Sequence, residues 1–387
     1  MVYSRVAVSG TAPSLTATDG FAALLRGAAI PFGAFRMPPE EFLRACNDHG
    51  VTSLIDQQLR RLKTGRGWPQ DVYDALAEHG RAQTAVELLR RRELNAVLEA
   101  LATEGIRPIV LKGTALAYTL YDSPASRPRV DTDVLIRREQ VDVVRQVMAR
   151  SGYTTPAYCD GELLFGQFPS MKTDPFGVVH AFDFHWRIST QAVFANLLAF
   201  DEISADAIPL PSIAAHARAA GPLHALLLAC VHPVMHHRNV ESLIWIYDIH
   251  LLASRLSERD FDRFVELAAI KQVSAICAHQ LAGARNRFDT PVSDRTLARL
   301  RAMPPREPSA AYLRAGRRWH DELISNIRGL PRWTDRVRLL REVMLPAPAY
   351  MLKAYSVRPS SPAAVLLPVL YLHRLAAGSW KVLAGHK

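Results

Sequence analysis

The sequence predicts an α+β fold: a mixed β-sheet with flanking helices, set between N- and C-terminal helical regions. Three observations carry this expectation. Residues 21–104, and the chain from Pro222 onward, place apolar side chains at three- and four-residue spacing, the period of an amphipathic helix. Between them, short β-branched and aromatic runs ("IRPIV", "VDTDVLI", "VVHAFDFHW") alternate with helical stretches. Two aspartates, Asp131 and Asp133, interrupt one extended run where apolar side chains are usual.

In chain order, residues 1–20 read as a flexible leader with no continuous apolar core of a signal peptide. An N-terminal helical region follows over 21–99. "PPEEFLRACNDHG" has prolines at its entry and acids in its first turn, and a long amphipathic helix stops at Gly105. Residues 100–210 form the mixed core. "IRPIVLKG" is a short strand, "TALAYTLY" a helix with Thr114 as N-cap, "DSPASRPR" a loop, "VDTDVLI" a strand and "REQVDVVRQVMARSGY" a helix. "ELLFGQFPSMK" and "GVVHAFDFHWRIS" are extended segments joined by the turn "TDPFG". Residues 211–387 form a C-terminal helical domain that becomes arginine-rich and proline-jointed towards its end.

The charge is basic: 47 Lys and Arg against 37 Asp and Glu. The basic residues are dispersed over helices, which fits solvated faces or a surface that attracts phosphates or an acidic partner. Nucleic acid is left open as a partner but not indicated. The four cysteines form no CxxC pair, which argues against a disulfide framework or a zinc site and fits a cytoplasmic protein. "AAVLLPVLYL" (363–372) is broken by Pro368 and too short for the roughly 20 residues of a membrane span. No GxxxxGKS/T loop, GxGxxG helix start, HRD-type catalytic loop or GxSxG elbow is present.

Along a strand, side chains alternate faces, so Asp131 and Asp133 project together and Val130, Thr132, Val134 and Ile136 project oppositely. Two carboxylates this close stay ionised only beside a cation. In "HAFDFHW", Asp183, His185 and Arg187 share a face opposite Phe182, Phe184 and Trp186. Three carboxylates on two paired strands can hold two Mg²⁺ ions, with Mn²⁺ as the alternative, for in-line phosphoryl or nucleotidyl displacement. "VLKGTAL" supplies a phosphate cradle. Lys112 brings charge, Gly113 allows close approach, Thr114 adds a hydroxyl, and Arg127 lies in the loop before the aspartates.

The run "VLKGTALAYTLYDSPASRPRVDTDVLI" resembles the uncharacterised bacterial nucleotidyltransferase family of the DNA-polymerase-β-like superfamily. Lys112, Gly113, Arg127, Asp131 and Asp133 match its motif, and "FDFHW" is similar to its third-acid strand, with Asp183 in place. His232, His236 and Asp248 match the family's later helices. Thr114 stands where the superfamily usually has Ser, and the interval from Gly to the paired aspartates is long. The resemblance covers most of residues 20–255, and is sharpest over 107–137. It implies a nucleotidyltransferase-type fold and metal-dependent transfer of a nucleoside monophosphate from an NTP, ATP favoured. Pyrophosphate would be released. The resemblance does not specify the acceptor: a small molecule, a peptide product, a protein side chain or an RNA end could each supply the hydroxyl or phosphate.

Other residues have more than one reading. His232 and His236 share a helical face and suit a metal pair, a hydrogen bond to Asp248 or to substrate, or the core. His185 suits a role behind the metal ligands. His237 and Arg238 suit a phosphate or acceptor contact. Trp186 suits the core, and Trp245 suits helix packing or base stacking. Two rival functions stand beside the leading one. A metal-dependent glycosyltransferase also uses a DxD. A catalytically silent nucleotide-binding, antitoxin-like or biosynthetic accessory module would keep the fold without the chemistry.

Overall fold

The structure is a computed structural model that describes residues 16–62, 67–156, 166–189, 191–195, 197–237, 239–302, 307–314, 319–330, 332–358 and 361–383. Most of the expected leader, with Cys159 and Arg238, lies outside the described residues.

The first helices form where the sequence places them. Thr16 caps Ala17–Leu25 by accepting from the Asp19 N–H, and prolines with Glu40 and Glu41 open Pro39–Asp48. Gly50, at φ +68°, separates that helix from Thr52–Leu62. Helix Gln70–Thr103 then runs 34 residues, roughly 50 Å at 1.5 Å per residue. Its two ends serve different cores. Val72 and Leu76 pack with Phe21, Phe42 and Trp68, whereas Leu94, Val97, Leu98 and Leu101 pack on the sheet. Phe42 and Trp68 meet edge to face at 5.3 Å between centroids.

The sheet has six strands in the order β3-β4-β2-β1-β6-β5. These are β1 (Ile109–Val110), β2 (Thr132–Leu135), β3 (Gln167–Thr173), β4 (Val179–His185), β5 (Ile208–Pro209) and β6 (Arg218–Ala219). β2 is antiparallel to β1 and parallel to β4, with Asp133 directly opposite Asp183. β3 and β4 form the expected hairpin around Asp174–Gly177. The sheet extends past the expected boundary at 210, because β6 pairs with β1 through Val110 and Ala219.

Strand alternation divides the sheet faces. Val110, Val134, Ile136, Phe182 and Phe184 join Leu94–Leu101 and the helix Val141–Arg150 in one core. Ile109, Leu111 and Leu135 face the other, where helices Pro222–His236, Leu243–Ala253 and Ser274–Phe288 cover them. Asp133 shares the parity of Leu135, so it points towards this second, helical layer. Further along, helices Glu258–Ile270 and Ser274–Phe288 are separated at Gln272, with φ +55°. Cys46, Cys230 and Cys277 are buried free thiols.

Candidate active site

Strand β1 runs straight into helix Lys112–Leu120. The turn requires Lys112 at φ +48°, a left-handed backbone unusual for a residue with a side chain. That strain aims the ammonium at Asp133, with Nζ 2.6 Å from Oδ1. His185 Nε2 meets the same oxygen at 2.8 Å. Asp133, Asp183 and His185 each offer one ligand atom, all within 4.8 Å of one another. Gln167 donates to Asp183 Oδ2 at 3.3 Å across the β3–β4 pair.

The carboxylates are unequal. Burial pushes Asp133 upward, but the Lys112 ammonium and His185 outweigh it and hold it well below the usual carboxylate range. Asp131 is pushed up to about 6, first by burial and then by repulsion from Asp133 and Asp183. Burial, with repulsion from Asp133, also raises Asp183. The metal-free site therefore holds surplus negative charge that protons relieve at mildly acidic pH. Carboxylate oxygens around an imidazole nitrogen, short of positive charge, fit a divalent cation.

The raised Asp131 gives a pH prediction. Its native form binds protons more tightly than its unfolded form, so its contribution destabilises the metal-free protein as pH rises from about 4 to about 6. A cation held in part by Asp131 would gain affinity across the same rise, because it binds the ionised form. Isothermal titration with Mn²⁺ from about pH 5 to about pH 7.5 should show this rise, flattened in Asp131→Asn. An unchanged slope in the variant would remove Asp131 from the cation site.

A cavity of about 560 Å³ opens over these groups, within the range of about 300–1,000 Å³ typical of small-molecule sites. Lys112, Gly113, Asp131, Asp133, Asp183 and His185 line its floor, and His232, His236, His237 and Trp245 its opposite wall. His237 stacks on Trp245 at 4.3 Å, and His232 meets the same indole edge to face at 5.6 Å. Burial, then the nearby Lys112 charge, lowers the pKa of His232, His236 and His237, which keeps this wall uncharged at neutral pH. His232 Nδ1 is buried without a hydrogen-bond partner.

Several expected roles change. Thr114 is not the N-cap: the helix starts two residues earlier, so its buried hydroxyl turns to the strand and donates to the Asp131 carbonyl and Thr132 Oγ1. Arg127 is not free to hold phosphate. It is buried, with Nη2 2.7 Å and Nε 3.2 Å from Asp248 Oδ2, and Nη1 donates to the Pro128 carbonyl. Its guanidinium lies under Gly113, where a Cβ would come within 2.5 Å of Nη1. Asp248 is engaged by Arg127 and by the Tyr121 hydroxyl at 2.6 Å, rather than by His232 or His236. His185 stands among the ligand atoms instead of behind them. Tyr121 and Gln167 carry no sequence signal, because their partners lie on other elements.

Asp133 and Asp183 on parallel strands, Lys112 at a helix start and a cavity above them are the features expected of a nucleotidyltransferase. A family described as uncharacterised nucleotidyltransferase matches residues 37–289, and the chain belongs to it. No curated protein matches the chain.

Proposed function

We propose that the chain transfers a nucleoside monophosphate from an NTP, ATP favoured, to the hydroxyl or phosphate of a small molecule, peptide or protein, releasing pyrophosphate. The observation that supports this best is the parallel register setting Asp133 beside Asp183, with Asp131 one step before β2. Asp131, Asp133 and Asp183 would hold Mg²⁺, and the His185 nitrogen makes Mn²⁺ a good fit as well. When bound, such a cation neutralises phosphate charge and polarises the α-phosphoryl group.

The chain's own residues do the rest. Lys112 leaves Asp133 for the β- and γ-phosphates, a move of one flexible side chain. Gly113 lets the phosphates approach the start of its helix. Asp183 takes the proton from the acceptor hydroxyl as its oxygen attacks the α-phosphorus. The α–β phosphoanhydride bond breaks and pyrophosphate leaves. The helical wall excludes water from the reacting phosphorus.

Incubating the protein with each α-labelled NTP and cell extract tests the reading: label should move to a discrete species from one NTP. Equal labelling by the Asp131→Asn/Asp133→Asn double variant would refute it. A thermal shift with a UDP-sugar but none with any NTP would favour the glycosyltransferase.

A further inference from the structure

Downstream of the family match, the chain has an unusual surface. From Arg332 to Lys387 it carries nine Lys and Arg but only two acids, Asp335 and Glu342. Most of the protein's excess positive charge is therefore concentrated in this segment. Helix Trp333–Met344 turns Trp333 and Val337, one turn apart, to solvent, with Trp333 73% exposed. Val365, Leu366, Val369 and Leu372 are also exposed, Val365 at 82% and Leu372 at 67%. They span the end of the short helical turn Pro362–Leu366 and the start of helix Leu367–Leu383. The two segments are tied together: Arg374 donates to the Val343 carbonyl at 3.3 Å, and the Tyr371 hydroxyl donates to the Pro346 carbonyl.

Apolar side chains left in water are costly unless something covers them. Among the described residues, no helix is long and apolar enough to cross a membrane. A second copy of the chain is a poor cover, because it would bring two strongly basic segments together. Exposed arginines Arg336 and Arg341 on the helix that bears Trp333, with Arg332 at its start, beside the exposed apolar residues from Val365 to Leu372, match the chemistry of an interfacial helix on anionic lipid. We propose that this C-terminal helical surface docks the protein on an anionic phospholipid membrane, lying in the interface without spanning it. The enzyme would then meet its acceptor at that surface. Docking does not depend on the reaction proposed above.

Cosedimentation of the full chain with vesicles tests this, using phosphatidylcholine alone or mixed with phosphatidylglycerol. Binding to the mixed vesicles should be about ten-fold stronger or more and should weaken with added salt. The exposed-site variants Val369→Glu/Leu372→Glu and Arg336→Glu/Arg341→Glu should each lose most of this binding while their melting temperatures stay near wild type. Failure to bind mixed vesicles overturns the proposal, as does binding unaffected by both variants. A dimer in sedimentation velocity that Val369→Glu/Leu372→Glu dissociates, without vesicle binding, would assign the face to a second copy instead.

Discussion

Asp133→Asn is expected to lower nucleotidyl transfer by roughly 10³-fold, the several kcal/mol that charge neutralisation at the phosphoryl group supplies. Asp133 is the most firmly ionised of the three acids and the meeting point of Lys112 and His185. Its amide replacement keeps the shape but loses the charge. Folding should suffer less than activity. Lys112 would lose its partner, yet Asp131, pushed up only to about 6, is ionised at neutral pH and lines the same cavity. Single-turnover transfer of labelled nucleotide, set beside a thermal melt, separates the two effects. A loss in rate of less than about ten-fold would remove Asp133 from the centre of the chemistry.

Asp248→Ala should have the reverse profile, with a loss of about 3–5 kcal/mol in unfolding free energy. Both members of the Arg127–Asp248 pair are almost fully buried, so removing the carboxylate strands a guanidinium under Gly113 and leaves the Tyr121 hydroxyl without its acceptor. Replacing both partners, as Arg127→Met/Asp248→Leu, should recover much of the loss, since no unpaired charge remains buried. Urea denaturation gives both numbers. If the double variant is as unstable as Asp248→Ala, the pair matters for its shape and not its charge.

These outcomes bear on what the sequence made legible. Asp131, Asp133 and Asp183 could be found because strand parity alone puts acids where apolar side chains are expected. The β3–β4 hairpin could be found from its turn. Strands β5 and β6 could not, since two residues carry no periodicity and they form only by pairing with the sheet. Arg127 was legible as a cation near a phosphate-binding turn, but its partner lies 121 residues away on a helix whose docking no local pattern reveals. Thr114 was misplaced by a short step in the helix start. The backbone at Lys112 bends into the left-handed region, and that shift turned the hydroxyl from the cavity to the strand. In each case local pattern was legible, and the contact between distant elements decided the role.

The Lys112–Asp133 ion pair has a thermodynamic corollary. On the proposed reaction, Lys112 and a divalent cation would compete for that carboxylate, so a triphosphate that draws Lys112 away would raise the cation's affinity. By reciprocity the cation tightens the triphosphate by the same factor. A pocket working in this way would favour the two arriving as a single unit over either alone. Where free divalent cations are always abundant, nucleotide supply sets how often the site is filled. Lys112→Ala weakens that linkage: cation should bind more tightly without nucleotide, and nucleotide should add less to it than in the wild type.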